Sequence, residues 1–342
     1  MISLGDSAPD AKCRVMLIRA AKREYRTWIV DSRRWTGYRP RSDDVIVASH
    51  PKCGTTWMQR IVHLLIFKST EPRPVDKISP WIDRRFPVPL NEVLAGIEAQ
   101  QHRRSLKTHL PLDGLPLFDE VKYIHIARDG RDACMSYHNH VSNFTAETLA
   151  RLDREGLEDE TIGRPYPRAS KDPAQFFRRW ISQGEVPGHT DGSPFVSFFV
   201  LERTYWSERK RPNFLLLHYN DLKADLQGEM QKIAAFLNIE IPTKLWPQLI
   251  EAASFEAMRR DGAKIAPGVT SMFERGAETF FFKASNERWR GVLTAEDLAF
   301  YDAKVRENFS RSCAVWVEQG RSGGADPPNL PRRLQTKPSS KD

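Results

Sequence analysis

The sequence predicts an α/β fold: a single domain on a mainly parallel central sheet flanked by helices, with a P-loop-like turn at its centre. Short runs of β-branched and large apolar residues, such as DVIVAS at 44–49 and NFLLLHY at 213–219, alternate with longer segments whose apolar residues recur at helical spacing. Between the first run and the segment that follows it lies SHPKCGTTW at 49–57, a tight turn from a buried strand into a helix. That unit places backbone N–H groups where an anion binds. In an open parallel sheet the ligand lies beyond the carboxyl ends of the strands.

Each element has its own reason. Residues 1–43 are polar and arginine-rich with an apolar, aromatic patch at 25–35, and read as an N-terminal arm packing on the core. A strand over 44–49 is followed by a helix from about 54 to 67, on which Trp57, Ile61, Leu64 and Leu65 fall at helical spacing. Prolines at 72, 74, 80, 87 and 89 keep 70–90 mostly loop. Then come a helix over 91–101, strands over 104–109 and 122–128, and a helix over 130–144. Residues 146–190 mix helix and loop, and 193–210 reads as a helix with Pro194 near its first turn. After the strand at 213–219, one amphipathic helix over 221–238 carries the stripe Leu222, Leu226, Met230, Ile233 and Leu237. Helices over 243–260 and 295–309 bracket a loop-rich 262–290, and there are no internal repeats. From 321 the Gly, Pro, Ser and charged composition reads as a disordered tail. The domain therefore spans 44–320, with the arm at 1–43 before it and the tail at 321–342 after it.

Composition narrows the partners. A chain of 342 residues that is 40% hydrophobic has enough apolar content for a large core. Its 52 Lys and Arg against 44 Asp and Glu give a net charge of +8, which suits an anionic ligand. The basic residues are scattered and do not interleave with aromatics, so nucleic acid is not the expected partner. The four cysteines lie far apart with no metal or redox spacing, and no apolar run reaches the length of a membrane span. A cytoplasmic protein without a metal is the natural expectation.

Three motifs should meet at the strand ends. In the first, Lys52 precedes Gly54, Thr55 and Thr56, so charge, hydroxyls and free helix-start amides crowd into five positions. It lacks the Gly-Lys-Ser/Thr order of a Walker loop. In the second, LKTHLP, Lys107 and His109 stand two apart on a strand and share a face, a fixed charge beside a group that can take a proton. In the third, Arg128 ends a strand and can grip a phosphate bidentately. Ser136 lies in the next helix, where bonding back to the preceding turn is as natural a role as binding. Arg131, Asp129 and Asp132 read as a solvated ion-pair cluster. The histidines other than His109 receive no role.

PKCGTTW, KTHLP, ARDGRDACMSY, HYNDLKAD and KASNERWRGVLT resemble, in this order, the motifs of the cytosolic sulfotransferases, over roughly 44–294. The resemblance implies transfer of a sulfuryl group from 3′-phosphoadenosine 5′-phosphosulfate (PAPS) to an acceptor hydroxyl or amine. It implies that Lys52, Cys53, Gly54, Thr55, Thr56 and Trp57 hold the 5′-phosphosulfate, with Trp57 against the adenine. It further implies that Arg128 and Ser136 hold the 3′-phosphate and that Ser254, Phe255 and Met258 line the adenine site. His109 matches the catalytic base, Lys107 a lysine beside the transferring group, and Lys283 a basic residue in the loop closing over the 3′-phosphate.

Departures from the family's pattern are specific. The closing loop, usually Arg-Lys-Gly, reads Phe282-Lys283-Ala284. Phe199 stands where many members have an adenine-contacting tyrosine, and His50 replaces an aromatic residue. The family's C-terminal dimer motif is not clearly present after Trp289, so oligomeric state does not carry over.

The chemistry runs parallel. An attacking acceptor oxygen must lose a proton, which suits His109. Charge growing on the departing bridging oxygen suits Lys52, Lys107 and the helix N-terminus. A sulfuryl group carries less negative charge than a phosphoryl group, so magnesium is less needed. A nucleotide kinase or NTPase would need the Gly-Lys-Ser/Thr loop and a strand-end Asp, and a non-catalytic nucleotide-binding protein has no use for the Lys107–His109 pair. The acceptor pocket is expected from 81–90, 140–152 and 262–281, with Trp81, Phe86, Phe144 and Phe273. Such walls suit an apolar or aromatic alcohol, a phenol or a lipid-like hydroxyl, although these aromatics serve equally well as loop anchors.

Overall fold

The computed structural model describes residues 15–283 and 285–324. Its first strand, β1 (Leu17–Arg19), pairs antiparallel with the short β4 (Leu117–Phe118) at the edge of the molecule. The central sheet consists of β2 (Val45–Ala48), β3 (Ser105–Thr108), β5 (Lys122–Ala127) and β6 (Phe214–His218). Its order is β3-β2-β5-β6 and every pairing is parallel.

Alternation along these strands covers both faces. Val45, Val47, Ile124, Ile126, Leu215 and Leu217 pack into one apolar cluster, whereas Ile46, Ala48, Leu106, Tyr123, Phe214 and Leu216 pack into another. The first face is covered by α1 (Thr55–Phe67), whose Met58, Ile61 and Leu65 are fully buried. Two short helices follow, α2 (Val75–Ile78) in the proline-rich segment and α3 (Leu90–Glu98). The second face carries α4 (Gly130–Ser142), with α5 (Ala146–Leu157), α6 (Pro173–Ser182) and α7 (Phe198–Ser207) beyond it. Tyr25, Trp28 and Trp35 of the first forty residues are buried in this same cluster.

Three expectations are corrected, each by capping or pairing chemistry. The helix read over 193–210 begins at Phe198, because the Ser197 hydroxyl accepts from Val200 N at 3.0 Å and Asp191 accepts from Phe198 N at 2.9 Å; Pro194 lies upstream. The single helix read over 221–238 is two, α8 (Tyr219–Ala224) and α9 (Leu226–Phe236). Asp225 divides them by leaving helical geometry and accepting from Gly228 N at 2.8 Å. Residues 243–260 likewise separate into a short 3₁₀ turn, α10 (Trp246–Ala252) and α11 (Phe255–Arg260), the last capped by Ser254.

The loop-rich stretch after α11 holds short helical turns, α12 (Gly262–Ile265), α13 (Pro267–Thr270) and α14 (Gly276–Phe280). α15 (Ala295–Asn308) starts with a reciprocal cap between Thr294 and Asp297. α16 (Arg311–Gln319), absent from the sequence reading, is capped by Ser310 and buries Cys313, Trp316 and Val317. Arg321, expected to open the tail, is instead tied to the fold: it pairs with Glu229 and its N–H donates to Asp221 at 3.2 Å. Residues 325–342 lie outside the described part.

Candidate active site

The chain leaves β2 through α1 toward β3, and leaves β5 through α4 toward β6 on the other side. β2 and β5 are neighbours, so a crevice opens between their carboxyl ends, the usual place for a ligand in this architecture. A cavity of about 250 Å³ occupies it. Among the described residues no Asp or Glu lines that cavity, whereas several lysines and arginines do.

The turn after β2 is shaped by backbone conformation. Lys52 and Gly54 hold positive φ angles of 71° and 109°. A Cβ on Gly54 would lie 2.9 Å from Ile126 and 3.2 Å from Tyr219, so glycine is required. Arg128 pins the turn by donating from Nη1 to the Lys52 carbonyl at 3.0 Å. Thr55 is buried against Ser49, their hydroxyls 2.5 Å apart, while Thr56 lines the cavity. The Trp57 indole N–H donates to the Ala253 carbonyl at 2.7 Å, and its ring stands edge-to-face on Tyr219. The first-turn amides of α1 have no partners within the helix and face this space with the positive end of its dipole.

Arg128 is buried yet meets no carboxylate within ion-pair distance among the described residues. It donates to the Ser285 carbonyl at 3.2 Å and the Asn286 side-chain oxygen at 3.0 Å, and stacks on Tyr219 at 4.3 Å. Ser136, on α4, shares the cavity wall with it. The neighbouring cluster is not solvated as expected. Arg131 pairs with Asp129 at 2.6 Å and stacks on Trp289 and Tyr301, and Asp129 and Asp132 are both buried. Asp132 makes no ion pair among the described residues, and burial pushes its carboxyl up to about 6.

At the other end, His109 follows β3. Its Nδ1 lies 2.6 Å from the Ser49 carbonyl, which can only accept, so Nδ1 carries the proton and Nε2 is left with the lone pair. Its ring stands edge-to-face on Trp81 at 4.9 Å. Burial first and the Lys107 charge second hold this imidazole well below the ordinary histidine range, so it is neutral at pH 7. Lys107 places its ammonium over the Trp81 ring at 4.2 Å, and Lys52 over Phe280 at 4.4 Å. Burial lowers both lysines to about 7; Arg128 adds to the effect on Lys52, and Arg84 on Lys107.

The structure thus brings Lys52, Gly54, Thr55, Thr56 and Trp57 together with Lys107, His109, Arg128 and Ser136 around one cavity. Phe255, Met258, Phe282 and Lys283 join its wall. Cys53 is instead fully buried in the core. Ser254 spends its hydroxyl capping α11 by accepting from Ala257 N at 3.1 Å. Phe199 is fully buried among Phe198, Tyr301 and Phe309 rather than on the cavity wall. Ala284 lies outside the described residues. Trp81, Phe86 and Phe144 line the cavity, while Phe273 stands behind Phe144, stacked on it at 5.7 Å.

Sequence reasoning passed over Tyr219, Arg288, His140 and Arg84, all on the wall. Tyr219 and Arg288 lie inside motifs already singled out, so position in the motif was the available signal. His140, packed on Phe144 and Phe273, and Arg84 fall within the segments 140–152 and 81–90 expected to form the acceptor pocket, where the aromatic residues were the ones singled out.

Residues 42–312 match a model described as the sulfotransferase domain. A glycolipid sulfotransferase of Mycobacterium bovis is 34% identical over 318 residues, covering 89% of this chain and 96% of the relative. The luciferin sulfotransferase of Photinus pyralis is 26% identical, covering 80% of this chain and 74% of its own. A mouse sulfotransferase solved in complex with PAP superposes with a TM-score of 0.60 at 20% identity, covering 85% of this chain and 90% of that one, and supports the fold. No helix among the described residues is long and apolar enough to cross a membrane. The chain belongs to the sulfotransferase family and is a sulfotransferase.

Proposed function

We propose that the chain moves a sulfuryl group from PAPS to the hydroxyl of a small acceptor, with His109 as general base. The observation that carries this reading is the fixed tautomer of His109: Nδ1 donates to the Ser49 carbonyl, leaving Nε2 free to take a proton beside two lysines, with no carboxylate among the described residues lining the cavity. The turn Lys52–Trp57 and the N-terminus of α1 would hold the 5′-phosphosulfate. Arg128 and Ser136 would hold the 3′-phosphate, with Arg288 and Lys283 beside them. Trp57, Phe255 and Met258 offer flat or soft surfaces for an adenine.

The steps follow from charge. Nε2 of His109 takes the acceptor's proton as its oxygen attacks sulfur. The bridging oxygen gains negative charge as the bond to sulfur breaks, and Lys52 and Lys107 would neutralise it. Both ammonium groups become more basic once an anion sits beside them, so donor binding readies them for this task. Ile29, Phe86, Phe144 and Leu152 give the acceptor end apolar walls, suited to an aromatic or lipid-like hydroxyl. The name of the glycolipid sulfotransferase relative favours the lipid-like class.

The test is transfer of ³⁵S from labelled PAPS to 2-naphthol, 4-nitrophenol and a glycosylated lipid, by the wild type and by His109→Gln. Label should reach at least one acceptor and be lost in the variant while PAP still binds. Wild-type rates in His109→Gln would remove His109 as the base.

A further inference from the structure

Arg84 and Arg85 are adjacent in sequence and opposite in use. Arg85 is consumed by the fold: it pairs with Asp159 at 2.8 Å, and donates to the Thr27 carbonyl at 2.9 Å and the Glu155 carbonyl at 3.2 Å. Arg84 reaches the cavity, where its guanidinium lies against Trp81 at 5.8 Å and Phe86 at 5.5 Å. No carboxylate stands within ion-pair distance of it among the described residues. Asp76 is the acid whose charge reaches it, and Arg151 opposes that influence.

The surroundings are those of the acceptor end. Ile29, Phe86 and Leu152 are apolar neighbours on the same wall. Trp81 touches both the Arg84 guanidinium and the Lys107 ammonium, and its ring meets His109, so one indole joins Arg84 to the reacting centre. Arg84 is half-buried; a guanidinium stays charged at any physiological pH, and shielding one from water without a paired counter-charge costs free energy. Contact with two aromatic rings limits its freedom, so less is lost when its donor fork meets a planar or tetrahedral anion.

We propose that Arg84 is a specificity-determining residue that selects acceptors carrying an anionic group, a carboxylate, sulfate or phosphate, close to the hydroxyl being sulfated. The proposal rests on the sulfotransferase reading of the same cavity. It adds a charge requirement to a pocket whose other walls favour an apolar body.

The test compares 4-hydroxyphenylacetate with its methyl ester, which differ in charge and little in shape. Calorimetry would measure binding of each to the PAP-loaded wild type and to PAP-loaded Arg84→Met and Arg84→Gln. The wild type should prefer the acid by about tenfold or more, the size expected of a charge-assisted bidentate contact. Both variants should lose that preference while binding PAP as the wild type does. Equal binding of acid and ester by the wild type overturns the proposal, as does no binding of the acid at millimolar concentration to protein that binds PAP. A preference surviving in whichever variant folds, judged by PAP binding and circular dichroism, overturns it too. If the wild type fails to bind PAP, the sulfotransferase reading of the cavity falls and takes this proposal with it.

Discussion

The two ends of the cavity are built differently. The nucleotide end comes from short continuous motifs: Lys52 to Trp57 in one turn, and Arg128 with Ser136 across one strand end and two helical turns. The acceptor end is assembled from Ile29, Trp81, Arg84, Phe86, Phe144 and Leu152, which are scattered over more than a hundred positions. The first end is polar, with backbone amides and basic side chains that suit an anion. The second is apolar walls around one guanidinium. Chemistry common to a family can be written into local turns, whereas the choice of acceptor depends on how distant segments pack.

The largest expected effect lies where the two ends meet. His109→Ala should lower kcat by ~10²–10⁴-fold while PAP affinity stays within a few-fold, since the imidazole acts on the acceptor proton. Steady-state rates with parallel calorimetry separate the two; equal loss of binding and turnover would make His109 structural.

Arg128→Ala should act on the nucleotide end alone. Loss of one charged hydrogen-bonding partner should weaken the 3′,5′-bisphosphate by about 10–100-fold and leave 5′-AMP nearly unchanged. Equal weakening of both ligands would sink its assignment to the 3′-phosphate.

A pH series tests the lysines. Both sit at about 7 in the empty cavity, and an anion beside them raises their basicity. The bound form therefore holds more protons than the empty one above pH 7, and affinity falls as pH rises. The expected loss is about tenfold per pH unit for each lysine between its empty and bound values. Proton uptake on PAP binding at pH 8, read in buffers of different ionisation enthalpy, checks the sign, and proton release would refute it.

The smallest effect is on stability. Lys107 ordinarily titrates near 10.5 and sits at about 7 in the fold, so the folded state resists its charge and the empty protein is penalised below pH 10.5. Lys107→Met should remove that penalty, stabilising the empty protein by about 1 kcal/mol while activity falls. A lower melting temperature at pH 7 would show that the ammonium supports the fold.

The same contrast explains what was legible in the sequence. β2, α1, β5 and α4 could be read because apolar periodicity and a glycine-centred turn are local signals. The start of α7 and the break between α8 and α9 could not, since Asp191 and Asp225 act through caps that an apolar stripe hides. Lys52, His109 and Arg128 were legible by type and position. The tautomer of His109 depends on a carbonyl sixty residues away, and of the neighbours Arg84 and Arg85 only the second finds a carboxylate, Asp159, which is distant in sequence. Phe199 looked like a site residue by motif position, yet α7 turns it into the core against Tyr301 and Phe309.

The most direct measurement is a thermal-shift series with adenosine 3′,5′-bisphosphate, 5′-AMP, and ATP with and without magnesium. At about 100 times its dissociation constant a ligand adds ~2.7 kcal/mol of stability. A nucleotide end that holds a 3′-phosphate through Arg128 and Ser136 requires a clear upward shift with the bisphosphate and little with 5′-AMP. A shift with magnesium-ATP alone would contradict it and make the cavity a phosphoryl-transfer site.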